Sequence, residues 1–469
     1  MRPGTMTFKP IGLTGAVWLL ALPLTVAALS PPETIKMPSF GTVTVYRPAG
    51  VPREVVLFIS GDGGWNLGVV RMAELLRDAG ALVAGIDIRA FMSSLEASTG
   101  CAYPAGNLEE LSRAVQLRFK LPAYRPPILV GYSSGATLAY AALAAAPPES
   151  FAGAISLGFC PDLELRKSLC QMRGLKPTRR SKGGVDLAPF PGLAVPWMLL
   201  QGEVDQVCDP GATRAFAART GASQVFSLPK VGHGFGTEAH WVPQFMEAYR
   251  TISGRRALHD APKPAPAPVA DLSLVEVPAP ADVRSSTLAI MLTGDGGWAD
   301  IDKRIAEGLV VAGVPVVGWS SLDYYWTPRT PETAARDLDR IIEYYATAWN
   351  KPHVIVIGYS FGADVAPFLV NRLPEPVRRR VARVVLLGPS DTAAFEFHLA
   401  SWLGGGGQDQ YPTVPEIQRL SIPVTCVSAA DDDESVCDRL RGTLARTASV
   451  GEGHHFGGEY ERLVELILK

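Results

Sequence analysis

Two apolar runs in this chain end in the same kind of turn. Val354-Ile355-Val356-Ile357 leads into Gly358-Tyr359-Ser360-Phe361-Gly362, and Ile128-Leu129-Val130 leads into Gly131-Tyr132-Ser133-Ser134-Gly135. Consecutive β-branched residues read as a strand buried on both faces. The segment after each serine reads as a helix, so each stretch describes a nucleophile elbow, a strand–serine–helix turn too tight for bulky neighbours. The plainer alternative is a strand–turn–helix corner whose serine only caps the helix. Against it stands the repetition. Gly61-Asp62-Gly63-Gly64-Trp65 precedes the first elbow and Gly294-Asp295-Gly296-Gly297-Trp298 the second, each after an apolar run. From tryptophan to serine the count is 68 residues in one copy and 62 in the other. The repeat itself is roughly 200 residues long, a whole domain and too long for a solenoid unit. The chain is an internal duplication.

A length of 469 residues suits two domains. Strands alternate with helices in each half, which predicts an α/β fold: tandem domains, each a mostly parallel, doubly wound sheet with a nucleophile elbow. In the first half, strands are expected at residues 42–47, 55–60, 81–87, 154–157 and 197–200, with helices at 70–78 and 108–119. In the second half the clearest helix is 331–349, with Thr330 as N-cap and Pro331 at the first helical position. The first domain is expected over residues 30–256 and the second over 271–469. Between them, residues 257–270 hold an extended proline–alanine spacer. The glycine-rich stretch at 395–415 is expected to cover the second site.

Residues 1–29 have the order of a secretory signal peptide: Arg2 and Lys9, then an interrupted apolar stretch, then small residues. A periplasmic mature protein is therefore expected. Six cysteines suit that compartment; Cys426 and Cys437 flank one loop and can bridge it, whereas the pairing of Cys101, Cys160, Cys170 and Cys208 stays open. No paired CxxC motif is present, so neither a metal site nor a cofactor is expected. A net charge of -2 argues against a nucleic-acid partner. One basic segment stands out, where Arg166, Lys167, Arg173, Lys176, Arg179, Arg180 and Lys182 face only Asp162, Glu164 and Asp186. It reads either as a solvated loop or as a contact for anionic lipid or phosphate.

A serine hydroxyl is a poor nucleophile at neutral pH and needs a histidine base with an acid to orient it. In this fold the order is serine, acid, histidine. The first copy offers Ser133, Asp205 and His233. The second offers Ser360, then Asp431-Asp432-Asp433-Glu434, then His454-His455. Asp432 leads, because Ser133 to Asp205 and Ser360 to Asp432 are both 72 residues. Aligning Cys208 with Cys437 points instead to Glu434, and Asp433 stays open as well. His454 is preferred because its Gly-His-x-Phe setting matches that of His233. Oxyanion donors are expected at the amide after each nucleophile, Ser134 or Phe361, and in the early glycine turn at Asp62-Gly63 or Asp295-Gly296. That turn lacks the Gly-Lys-Ser/Thr of a phosphate-binding loop.

With these residues in place, the chain resembles the AcvB/VirJ virulence-protein family. The resemblance spans nearly the whole chain and is carried by Gly294-Asp295-Gly296-Gly297-Trp298, Arg329-Thr330-Pro331-Glu332, Gly358-Tyr359-Ser360-Phe361-Gly362-Ala363-Asp364 and Gly453-His454-His455-Phe456. It implies a periplasmic α/β-hydrolase that cleaves aminoacyl-phosphatidylglycerol, the lysyl ester especially, at the membrane surface. It also implies a link to virulence and type IV secretion, with secretion-system proteins as partners. The C-terminal domain is the family's catalytic one, so Ser360 carries over as nucleophile and His454 as base. Where the family usually has glycine and glutamates, this chain has Ala429-Ala430-Asp431-Asp432-Asp433-Glu434. Two other readings compete with this one: a non-catalytic periplasmic adaptor, and an esterase for ordinary acyl esters.

Overall fold

A computed structural model describes residues 30–98, 100–172, 174–181, 183–259, 267–280, 285–397, 411–442 and 445–469. The expected signal segment, residues 260–266 of the proline–alanine spacer and the glycine run at 404–407 lie outside the described residues.

Two mixed sheets form, one from each half. The first contains β1 (Glu33–Met37), β2 (Gly41–Tyr46), β3 (Glu54–Ile59), β4 (Ala81–Ile86), β5 (Ile128–Tyr132), β6 (Gly153–Leu157), β7 (Trp197–Gly202) and β8 (Ser223–Leu228), in the order β1-β2-β4-β3-β5-β6-β7-β8. The second contains β9 (Leu274–Val277), β10 (Thr287–Leu292), β11 (Val316–Trp319), β12 (His353–Tyr359), β13 (Val381–Leu387), β14 (Val424–Ser428) and β15 (Arg446–Ser449), in the order β9-β11-β10-β12-β13-β14-β15. β1, β2 and β9 pair antiparallel at the leading edges; the remaining pairs are parallel. Both halves are thus α/β, with the same central order and one extra edge strand in the first.

Each sheet is apolar on both faces because helices cover both. Along β3, Val55, Leu57 and Ile59 enter one core while Val56 and Phe58 enter the other. Along β10, Leu288, Ile290 and Leu292 face one layer, and Ala289 and Met291 face the opposite one. This alternation is what a strand buried on both sides requires. The helix Pro331–Ala348 starts as its sequence predicts: the Thr330 hydroxyl accepts from the Thr333 amide at 3.1 Å. It lays Leu338, Ile341, Ile342 and Tyr345 on the second core.

Local differences from the sequence reading lie at the joints. The helix Val242–His259 runs past the expected boundary at 256, while Val269 and Leu272 are buried in the second core. The far end of the spacer therefore belongs to the second domain's packing. The basic segment is more structured than a solvated loop. Asp162–Leu163, Val185–Asp186 and Thr178–Arg179 form a small antiparallel sheet, and a Cys101–Cys170 disulfide ties the segment down. All three of its carboxylates, Asp162, Glu164 and Asp186, converge on Arg180. Cys160–Cys208 and Cys426–Cys437 are bridged as well.

The halves touch along one face. Trp326 Nε1 donates to the Leu121 carbonyl at 2.8 Å, its ring lies 5.4 Å from that of Tyr124, and Lys303 pairs with Glu149 at 3.0 Å. No described helix is long and apolar enough to cross a membrane.

The tryptophans that close the glycine turns explain a second repeated pattern. Trp65 lies over Gly85 of β4 and Trp298 over Gly318 of β11; a Cβ on Gly318 would sit 2.2 Å from the Trp298 ring. Overpacking of this kind costs about 1–3 kcal/mol. Gly318→Ala should therefore lower stability by that amount in urea denaturation and shift the tryptophan emission of the folded state. An unchanged midpoint would show that the ring does not hold that position.

Candidate active sites

Both elbows are built by close backbone approach. A Cβ on Gly131 would lie 2.1 Å from the Gly135 carbonyl oxygen, and one on Gly135 would lie 2.4 Å from the Ile59 carbonyl oxygen. In the second copy the matching distances are 2.3 Å from Gly358 to the Gly362 oxygen and 2.3 Å from Gly362 to the Leu292 oxygen. Only hydrogen fits at these positions. The serines take the strain that results, with φ 55° and ψ −125° at Ser133 and φ 51° and ψ −119° at Ser360. Neither hydroxyl caps its helix, which leaves both available for chemistry.

In the first domain His233 Nε2 lies 2.9 Å from Ser133 Oγ, and its Nδ1 lies 2.9 Å from Asp205 Oδ2. The Asp205 side chain is fully buried, and its other oxygen accepts the amides of Val207 and Cys208 at 2.8 and 3.0 Å. These bonds fix the carboxylate in place and aim it at the imidazole. The Cys160–Cys208 disulfide fixes the loop that carries it. Tyr132, just before the nucleophile, donates to the His233 carbonyl at 2.8 Å. A cleft of about 440 Å³ opens here, lined by Asp62, Gly63, Ser133 and His233 among others.

In the second domain His454 Nε2 lies 2.7 Å from Ser360 Oγ, and Tyr359 donates to the His454 carbonyl at 3.1 Å. Asp432 faces the same ring from across Gly388. A Cβ on that glycine would lie 3.8 Å from Asp432 Oδ2 and 3.9 Å from His454 Nδ1. Asp432 and His454 are not hydrogen-bonded to each other; Asp432 Oδ1 instead accepts the Glu434 amide at 3.2 Å. Asp431 has a separate task, accepting the Gly453 amide at 2.5 Å and so tying the acid loop to the histidine loop. Asp433 and Glu434 are exposed. Gly388 and its counterpart Gly158 both have φ of 61°; a Cβ on Gly158 would press on the His233 ring at 3.2 Å, whereas one on Gly388 would meet His454 at an ordinary contact distance of 3.7 Å.

The glycine turns abut the nucleophiles. Gly64 N donates to Gly61 O at 2.8 Å and Gly297 N to Gly294 O at 3.2 Å, which puts Asp62-Gly63 and Asp295-Gly296 at the two central positions. A Cβ on Gly61 would lie 3.0 Å from Ser133 Cβ, and one on Gly294 3.5 Å from Ser360 Cβ. Ser134 and Phe361 open the helices behind the serines. Histidine, acid and oxyanion candidates thus gather at one end of each sheet. Each arrangement is that of a serine hydrolase. Asp205, Cys208 and His233 also form a cluster of metal-ligand type. Cys208 is locked in a disulfide, and Asp205 and His233 are bonded to each other, so the cluster is not a free donor set.

Residues 286–469 match the family described as bacterial virulence protein (VirJ). The second domain is VirJ-like. Solved structures similar to this chain include the esterase domain of a Rhodothermus marinus protein, with a TM-score of 0.34 and 17% identity, covering 47% of this chain and 98% of its own. Another is Est1E from Butyrivibrio proteoclasticus, with a TM-score of 0.31 and 11% identity over 50% of this chain and 100% of its own. A third is an α/β serine hydrolase without a lid from Xanthomonas campestris, with a TM-score of 0.32 and 19% identity over 50% and 100%. No curated protein matches the chain.

The VirJ-like site differs from its partner in what surrounds it. Phe361 stacks with Tyr325 and Phe397, at 5.1 and 4.9 Å between ring centroids, giving the nucleophile an apolar flank. Behind the nucleophile helix, Asp364 accepts the Ser390 amide at 2.6 Å and the Ser390 hydroxyl at 2.8 Å. This strut holds the loop after β13. In the first domain Thr137 does the same job, donating to the Cys160 carbonyl at 2.6 Å. Sequence reasoning missed the strut, and it missed the tyrosines too, although both elbows read Gly-Tyr-Ser.

Burial pushes the Asp364 carboxyl up to about 7, and does the same to Asp302, whose carboxylate caps the Ala299 amide. A folded-state value above the unfolded one means the native protein holds the extra proton. Stability is therefore full at low pH and falls as pH rises from about 4 through 7. Asp364→Asn keeps the shape of the strut and removes its titration. Its melting temperature should fall less between pH 5 and pH 8 than that of the wild type, with Asp302 left to supply the remaining slope. Parallel curves for the two proteins would contradict the buried, protonated Asp364.

Proposed function

We propose that this chain is a periplasmic serine esterase that hydrolyses the aminoacyl ester of aminoacyl-phosphatidylglycerol, lysyl-phosphatidylglycerol above all, with Ser360 as the main nucleophile. One observation carries the hydrolase reading: in both copies a strained, glycine-flanked serine lies within hydrogen-bond reach of a histidine Nε2. In this reading His454 takes the proton of Ser360 as the hydroxyl attacks the ester carbonyl. The amides of Phe361 and of the Asp295-Gly296 turn stabilise the oxyanion. His454 then gives its proton to the departing glycerol oxygen, and phosphatidylglycerol leaves. Water, activated by the same histidine, frees the amino acid from Ser360. Asp432, which faces the ring from across Gly388 without a hydrogen bond to it, stabilises the imidazolium from a distance.

The substrate class draws on several supports. The resemblance to two-domain AcvB-type proteins points to an aminoacylated phospholipid at the membrane surface. Asp433 and Glu434 stand exposed beside the acid, where they suit a cationic aminoacyl group. In the basic segment of the first domain the carboxylates are drawn to Arg180, and Arg166, Lys176 and Arg179 stand exposed, which suits a phosphate headgroup. Three disulfides fit an oxidising compartment such as the periplasm. Secretion-system proteins remain proposed partners on the strength of the resemblance alone.

The test is amino-acid release from lysyl- and alanyl-phosphatidylglycerol vesicles by the purified full chain. Removing the nucleophile of a serine hydrolase costs on the order of a million-fold in turnover. Ser360→Ala should therefore fall to whatever Ser133 alone supports, while Ser133→Ala keeps most of the activity. Full turnover by Ser360→Ala would sink the assignment. Brisk cleavage of short acyl esters, with none of aminoacyl lipids, would replace the substrate class.

A further inference from the structure

In the first domain the oxyanion turn is tied to the nucleophile helix from within. Ser134, the residue after the nucleophile, donates its hydroxyl to Asp62 Oδ2 at 2.7 Å. The second domain cannot make this bond, because Phe361 stands where Ser134 does and has no hydroxyl. Its turn aspartate, Asp295, is held from the other domain instead. Arg113, on the first domain's helix Pro104–Arg118, donates through Nη1 to Asp295 Oδ2 at 2.7 Å and to the Asp295 carbonyl at 3.1 Å. The Arg113 side chain is only 11% exposed, and Glu109 lies 3.7 Å from its other terminal nitrogen. The same guanidinium thus grips both the side chain and the backbone of the residue at the centre of the turn.

We propose that Arg113 is a positioning residue for the Ser360 site, supplied by the first domain in place of the bond that Phe361 cannot make. The inference rests on the hydrolase reading of Ser360. Its physical basis is that oxyanion donors act only when pre-aligned, and an error of about 1 Å in such a site costs about a hundredfold. A central turn residue with an unanchored carboxylate would let the Asp295-Gly296 amides drift. The duplication then has a mechanical role: the first domain completes the second site whether or not its own triad turns over. The interface does not need Arg113 to form, since Trp326 with Leu121 and Tyr124, and Lys303 with Glu149, join the halves elsewhere.

The chain carries its own internal control. A fluorophosphonate probe reacts with activated serines through the same oxyanion geometry, and peptide mass spectrometry separates labelling at Ser360 from labelling at Ser133. In the full-length wild type both serines should label. In Arg113→Met the rate at Ser360 should fall about ten- to a hundredfold, while the rate at Ser133 holds. Arg113→Lys should recover part of the loss. Adding Phe361→Ser to Arg113→Met should recover part of it too, by installing the bond the first domain uses. Trp326→Phe, which disturbs the interface without touching Asp295, should leave the ratio of the two rates unchanged. An unchanged ratio in Arg113→Met, an equal fall at both serines, or a matching shift in Trp326→Phe would overturn the proposal. Failure of Ser360 to label in the wild type would refute instead the hydrolase reading beneath it.

Discussion

The close passage of the nucleophile turn over the strand end is the contact on which each half depends. The Gly362 Cα packs against the carbonyl of Leu292, and Gly358 against that of Gly362, at distances that exclude any side chain. That approach forces a positive φ on the serine and lifts its hydroxyl clear of the sheet. It also fixes where everything else must come. The glycine turn after β10 abuts the serine from one side, and the loops after β13, β14 and β15 deliver Ser390, Asp432 and His454 from the other. The first half obeys the same geometry with Gly131, Gly135 and the loops after β6, β7 and β8.

Within that shared frame the copies have diverged in how they brace their loops. The first half fixes its acid loop with a Cys160–Cys208 disulfide and two amide bonds to Asp205. The second links Cys437 back to its own strand at Cys426 and ties Asp431 to the histidine loop. Where Thr137 reaches Cys160 in one copy, Asp364 reaches Ser390 in the other. Where Ser134 holds Asp62, Arg113 crosses the interface to hold Asp295. The first site is braced locally and the second partly by its neighbour. An apolar flank of Phe361, Tyr325 and Phe397 stands beside the second nucleophile, where Ser134 follows the first.

Legibility in the sequence followed how local each constraint is. The elbows, the glycine turns and the capped helix after Thr330 are set by residues within a few positions of one another, and period and composition reveal them. Counting from the two serines singled out Asp432, which lies across Gly388 from the His454 ring, and the Gly-His-x-Phe setting singled out His454, which lies against Ser360. Edge strands such as Glu33–Met37 and Ser223–Leu228, with mixed burial, carry too weak a pattern to read. Arg113 was invisible for a different reason. Its partner lies 182 residues away, and on its own helix it reads as one more surface cation. The joint at Val269 and Leu272 was likewise hidden, because only tertiary packing shows that the spacer's end enters a core.

The central claim is that Ser360 carries the amino acid during turnover, and rapid quenching tests it most directly. The full chain, mixed with an equal amount of lysyl-phosphatidylglycerol and acid-quenched within a single turnover, is digested and searched for a lysyl group on serine. The account predicts that phosphatidylglycerol appears first, with the lysyl group on the peptide containing Ser360, and that free lysine follows as the adduct decays. Free lysine and phosphatidylglycerol appearing together, with no lysyl group on that peptide and the same time course in Ser360→Ala, would contradict it.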